Sequence, residues 1–181
     1  MAKSKNNSLF GYIFAGLILV GLVLVIVGMC VNVLTQTVTV SSSIVGASSN
    51  SESVGLFDEF WTNLKDAEIA SNTFLIISFI VTIVGAALLG VEAVLRFALK
   101  KDLKLVRLIG AAVTLVGAVL ILIAGLTVVG TLNDKFGASG GLGELVKGES
   151  KFSAAAGVWL GFIGGLVAAV AGGLSLLKNF N

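Results

Sequence analysis

The chain has no proline, no histidine and one cysteine, and few of its residues carry charge. Each scarcity closes a route to function. With no imidazole and Cys30 as the lone thiol, the common ligand sets for zinc, haem and iron–sulfur clusters are missing, as are imidazole proton transfer and a CxxC redox pair. No HExxH, GxSxG or phosphate-loop pattern occurs, and no acid falls in the middle of a long apolar run. Catalytic residues, metal ligands and cofactors are therefore not identified, and an enzyme is not expected. Without proline no span has the usual break that opens main-chain groups to an ion or substrate, which argues against an alternating-access transporter. A single cysteine excludes an intramolecular disulfide, and Cys30 is expected to be a buried small residue.

Apolar residues are what the chain has in quantity. They make up 56% of it, and the mean hydropathy is +1.05. Four runs carry no charge at all: Asn6 to Ser51, Ile69 to Val91, Leu108 to Asn133 and Phe152 to Leu177. A membrane span takes about 20 residues at about 1.5 Å each. The fold class expected is an all-α membrane protein, one membrane domain over residues 1–181. Its four transmembrane helices lie near 9–34, 73–91, 108–132 and 154–177 and form a bundle. The first run exceeds a signal-peptide core and reads as an uncleaved anchor.

Charge sets the expected topology. Lys3, Lys5, Arg96, Lys100, Lys101, Lys104, Arg107 and Lys178 share one side with two acids, Glu92 and Asp102, a net +6. The other side holds four lysines against eight acids, a net −4. By the positive-inside rule both termini and the 92–107 loop are cytoplasmic, in what is read as a plasma membrane. The 92–107 loop is expected to extend its two helices to a tight turn around Lys100 to Lys104. Glu92 and Arg96, four apart, read as a solvated pair ending the second span. Ser78, Thr82, Thr114 and Thr127 read as hydroxyls that bond back within their own helices or across to a neighbour.

The outer loops, about 35–72 and 133–153, hold most of the chain outside the membrane. "QTVTV", Gln36 to Val40, alternates β-branched residues and reads as a short strand following the first span. Ser41 to Ser53 reads as turn or flexible loop. Phe57, Phe60, Trp61 and Leu64 then recur at helical spacing, opposite Asp58, Glu59, Asn63, Lys65 and Asp66. The expectation is an amphipathic helix on the outer bundle surface, with Trp61 at headgroup depth. Strand and helix together form a small outer cap. The second outer loop, rich in glycine, is expected to be short and mobile, with a hairpin as the alternative.

Six of the seventeen residues from Gly157 to Gly173 are glycine. In water six helix-interior glycines cost about 3–6 kcal/mol relative to alanine. Close helix contact is the compensation, because small residues let membrane helices approach backbone to backbone. Gly157, Gly161, Gly165, Ala169 and Gly173 recur every four residues, a spacing compatible with right-handed crossings. Gly110 and Gly117, with Gly125 beside them, follow a spacing of seven that fits left-handed packing near about +20°. The last span is therefore the most buried helix, or the one facing another protomer.

"GLFDEF", Gly55 to Phe60, together with four spans, inner termini, a long first outer loop and a smaller second one, resembles the claudin and peripheral-myelin-protein superfamily. The segment is similar to that group's GLW-x-x-C motif, with Phe57 at the tryptophan and Phe60 at the first cysteine. The resemblance implies a first loop that begins in a strand and ends in a short helix. The family's disulfide has no cysteines to form it here.

The expected function is a non-enzymatic integral membrane scaffold or accessory subunit. It sits in the lipid bilayer and assembles as a homo-oligomer or with a membrane-protein partner through its small-residue faces. Phe57, Phe60, Trp61 and Leu64 are the cap residues expected to meet that partner. Nucleic acid is not an expected partner, and no small-molecule substrate is identified. The alternative is a pore-forming oligomer or cation-selective channel subunit whose acidic vestibule is Asp58, Glu59, Asp66 and Glu68. A transporter ranks below both.

Overall fold

A computed structural model describes residues 2–42, 46–66, 69–99, 103–137, 140–141 and 146–177. The expected turn at Lys100 to Lys104 falls mostly outside the described residues, as do Glu68 and much of the glycine-rich stretch before residue 146. The elements run α1 (Ala2–Cys30), β1 (Asn32–Ser42), β2 (Gly46–Gly55), α2 (Phe60–Asp66), α3 (Thr73–Leu99), α4 (Lys104–Phe136), β3 (Gly140–Gly141), β4 (Val146–Ala154) and α5 (Ala156–Leu177). The helices α1, α3, α4 and α5 are each long and apolar enough to cross a membrane.

Burial on each long helix repeats every seven residues. On α3 the buried sets are Ser78, Gly85 and Glu92; Leu75, Thr82 and Leu89; and Phe79, Ala86 and Ala93. On α4 one set runs Arg107, Thr114, Ile121 and Val128. On α5 a set runs Gly157, Gly164 and Ala171, and on α1 one runs Gly11, Ile18 and Val25. A repeat of seven holds one stripe of a slightly underwound helix against its neighbours over the full length of a bundle. The helix α1 rests mainly on α5, α5 on α4 and α4 on α3, and α1 meets α3 to close the ring. Half of the most apolar window of α5 is buried against 22% for α1, so α5 is the central helix.

The molecule is mostly helical, with four long apolar helices as expected, and it adds a sheet where the all-α expectation had a single short strand. Four strands form one sheet in the order β2-β1-β4-β3. The strand β1 starts at Asn32, so the first span ends at Cys30 and the expected helix to Leu34 is shortened. Val33 and Leu34 are apolar enough for a span, but they lead into the β-branched run Thr35 to Val40, which favours the extended chain. The Ser/Gly/Asn stretch expected to be loose is instead β2, antiparallel to β1 from Ser42↔Gly46 to Leu34↔Val54. Gly46, the first residue of β2, holds φ 87, a conformation that glycine adopts without strain. The second outer loop supplies β4, which pairs antiparallel to the far side of β1 from Leu34↔Ala154 to Ser42↔Val146. The expected hairpin exists as a short pairing of Gly140 and Gly141 with Gly148 and Lys147.

One apolar core joins sheet and bundle. Leu34, Val54 and Phe152 at the base of the sheet pack with Leu56, Trp61 and Leu64 and with Leu75, Val128 and Leu132 of the helices. Asn133 at the end of α4 fastens the junction. Its Nδ2 donates to the Phe152 carbonyl at 2.9 Å, and its Oδ1 accepts from the Phe152 amide at 2.8 Å. Beyond this base the sheet carries no buried residue on β1 from Thr35 onward or on β2 before Val54.

Candidate functional site

Two places concentrate polar groups: the waist and closed end of the bundle, and the cap around α2. In the waist, helices touch main chain to main chain. A methyl built on Gly21 would lie 2.6 Å from the Gly164 carbonyl oxygen, and one on Gly157 would lie 2.6 Å from that of Gly28. One on Gly85 would lie 2.6 Å from the Thr114 amide nitrogen. The hydroxyls at this level are turned back into their own helices. Thr82 donates to Ser78 O and Thr114 to Gly110 O, both at 2.7 Å, and Ser78 donates to Phe74 O.

The predicted packing residues divide according to helical geometry. Gly110 meets Leu89, Gly117 meets Thr82 and Gly125 meets Val158, all inside the bundle. The four-residue series on α5 does not form one seam. Gly157 faces α1, Gly161 faces Phe79, Gly165 faces Ala118 and Thr82, and nothing stands within 4 Å of a methyl on Gly173. Each step of four residues turns the helix about 40° past a full circle, so the series winds from one neighbour to the next. Ala169 is buried with them.

At the end of the bundle away from the sheet lies a buried ion pair. Arg107 of α4 donates through Nη2 to Glu92 Oε1 of α3, with the two side chains 3% and 4% exposed. Its Nη1 donates to the Ser175 carbonyl of α5 at 3.0 Å. That carbonyl belongs to the last turn of α5, where helix geometry leaves acceptors unfilled. This corrects the reading of Glu92 as solvated: its carboxylate is buried and accepts from Arg107. Arg107, expected as a loop charge marking topology, is instead a junction of three helices.

In the cap, α2 is shorter than the amphipathic stretch predicted, and it begins at Phe60. Phe57 therefore falls in the preceding turn and is 67% exposed, whereas Trp61 and Leu64 are buried and Phe60 is half-buried. Trp61 is not at a headgroup-facing surface. Its Nε1 donates to the Gly55 carbonyl at 2.7 Å, which satisfies the indole and turns the ring inward. The Gly55 amide donates to Asp58 Oδ2 at 2.5 Å, and Asn72 Nδ2 donates to the Leu56 carbonyl at 2.6 Å. The "GLFD" turn is thus pinned at both ends.

Two of the four acids expected to form a vestibule share a cleft. Asp58 and Asp66 line one cleft of about 350 Å³, shared with Lys65, Asn72 and Thr73. Glu59 is exposed beside it and Glu68 lies outside the described residues. Cys30, expected to be buried, is exposed at the last residue of α1. The packing face there is Val25 and Gly28, and Cys30 stands about 200° round the helix from Gly28. Among the described residues no three His, Cys, Asp or Glu side chains gather as a metal site would require.

No protein-family model matches the chain. No curated protein matches it either.

Proposed function

We propose that the chain is a non-enzymatic integral membrane scaffold or accessory subunit, with both termini cytoplasmic and the sheet presented on the outer side of the plasma membrane. The observation that carries the reading is that its small-residue seams close within one chain. Gly21 against Gly164, Gly28 against Gly157 and Gly85 against Thr114 leave backbone touching backbone where a solute path would need space. The waist hydroxyls are committed to their own helices and line nothing. The polar, exposed part of the molecule is the sheet, and it is held to the bundle by a continuous core.

The partner-contacting surface moves accordingly. Trp61 and Leu64 build the cap from within, and the contact surface is the sheet together with Phe57. Thr39 and Ser49 are register partners, so exchanging residues 40–48 for an Asn-Gly turn shortens the hairpin without changing its register. Mass measurement of gently solubilised assemblies tests the reading. The shortened chain is expected to insert and fold but to lose its higher-mass assembly. Recovery of the same assembly contradicts a role for the sheet.

A further inference from the structure

The strand β2 stands at the edge of the sheet, and among the described residues no strand pairs with its outer side. Ten residues long, it carries one charge, Glu52, and neither lysine nor proline. Natural edge strands of this length are normally blunted by lysine, proline, a bulge or a covering element. The one register shift on this pair is at Asn32/Leu34, at the base, which leaves the outer reach of β2 regular. An edge of this kind offers a row of main-chain donors and acceptors ready for another strand.

We propose that β2 pairs antiparallel with β2 of a second copy of this chain, joining two four-stranded sheets into one across a two-fold axis. The proposal deepens the scaffold reading above and rests on it. The sequence "GASSNSESVG" favours a copy over a foreign strand. Its residues before Val54 are small or polar, and all are exposed, so the strand has no pockets with which to read a different sequence. Against itself it is self-complementary. Two two-fold registers pair nine residues of β2 each, one about Asn50 and one about Ser51, and the second needs Gly55, whose amide and carbonyl are already bonded to Asp58 and Trp61. The register about Asn50 puts Asn50 opposite Asn50 of the copy, Ser49 opposite Ser51, Ser48 opposite Glu52 and Ala47 opposite Ser53. No like charges face each other, and no bulky pair collides. Such a contact is isologous and closes at two copies.

Site-directed disulfides test the pairing in proteoliposomes, on the full chain with Cys30→Ser. A disulfide needs Cα atoms within about 7 Å. Asn50→Cys is expected to convert monomer to a linked dimer under mild oxidation. Ser48→Cys alone and Glu52→Cys alone are expected to stay monomeric, while a mixture of the two links. Thr39→Cys, on the interior strand β1, is the control and stays monomeric. As a second measurement, Asn50→Lys is expected to dissociate the assembly, and mixing it with Asn50→Glu to restore it. Folded protein that gives no Asn50→Cys dimer overturns the pairing, as does equal linking at Asn50 and Thr39, which marks random collision. The scaffold reading fails by a different signal, cation conductance of the same vesicles, so the two failures are distinguishable.

Discussion

Arg107 on α4 and Glu92 on α3 form a buried ion pair whose cation also holds the Ser175 carbonyl of α5. Three of the four long helices are therefore tied at one point, at the end of the bundle farthest from the sheet. Removing one member of such a pair leaves a charge buried alone, at a cost of about 3–5 kcal/mol, whereas replacing both with apolar residues of similar volume is often neutral or stabilising. Glu92→Leu and Arg107→Met are expected to be strongly destabilising singly and close to neutral together. Unfolding of the solubilised protein by denaturant, followed as a double-mutant cycle, checks this.

That junction is legible in the sequence. Carrying the seven-residue stripe of α4 back from Val128 through Ile121 and Thr114 reaches Arg107, and carrying that of α3 forward from Ser78 through Gly85 reaches Glu92. The phase of each helix thus placed both charges inward, where a search by hydropathy saw the ends of spans. The strand β2 had no such signal. Serine, glycine and asparagine have little preference for strands, and β2 exists because β1 templates it. The β1–β4 pairing joins residues 104 to 120 apart in sequence, a relation no local pattern records. Four helices are readable because each buries a stripe of its own, and β1 is readable from its alternation, whereas the pairing of strands is not, because it arises between segments.

Glycines divide into filled and open positions, and the division predicts opposite signs. Gly28→Ala and Gly157→Ala drive a methyl into the opposing backbone and are expected to cost about 1–3 kcal/mol through overpacking. Gly90→Ala and Gly173→Ala meet nothing within 4 Å and are expected to gain up to about 1 kcal/mol from helix propensity. Thermal denaturation in one detergent, read across all four variants, checks the signs.

Asn133 holds both main-chain groups of Phe152, and Asn133→Leu leaves that donor and acceptor without their partner. A loss of about 1–3 kcal/mol is expected for each group left buried and unsatisfied. Amide exchange should quicken at Phe152 and along β4 while the α3 and α4 amides at the far end of the bundle stay protected.

Trp61→Phe keeps most of the ring in the cap core and removes the donor to the Gly55 carbonyl. The expected loss is about 1 kcal/mol. Trp61→Ala removes the ring as well and is expected to cost about 3–5 kcal/mol. Protease cleavage at the Gly55 to Asp58 turn should rise in that order, and equal cleavage of both variants would place the indole outside the cap.

The account turns on a bundle whose helices are closed against one another. Current through planar bilayers containing the purified full-length protein measures this most directly. The account predicts electrical silence at every voltage, with the protein shown to be inserted and folded. Ohmic, cation-selective steps that vanish when Asp58 and Asp66 are neutralised would contradict it.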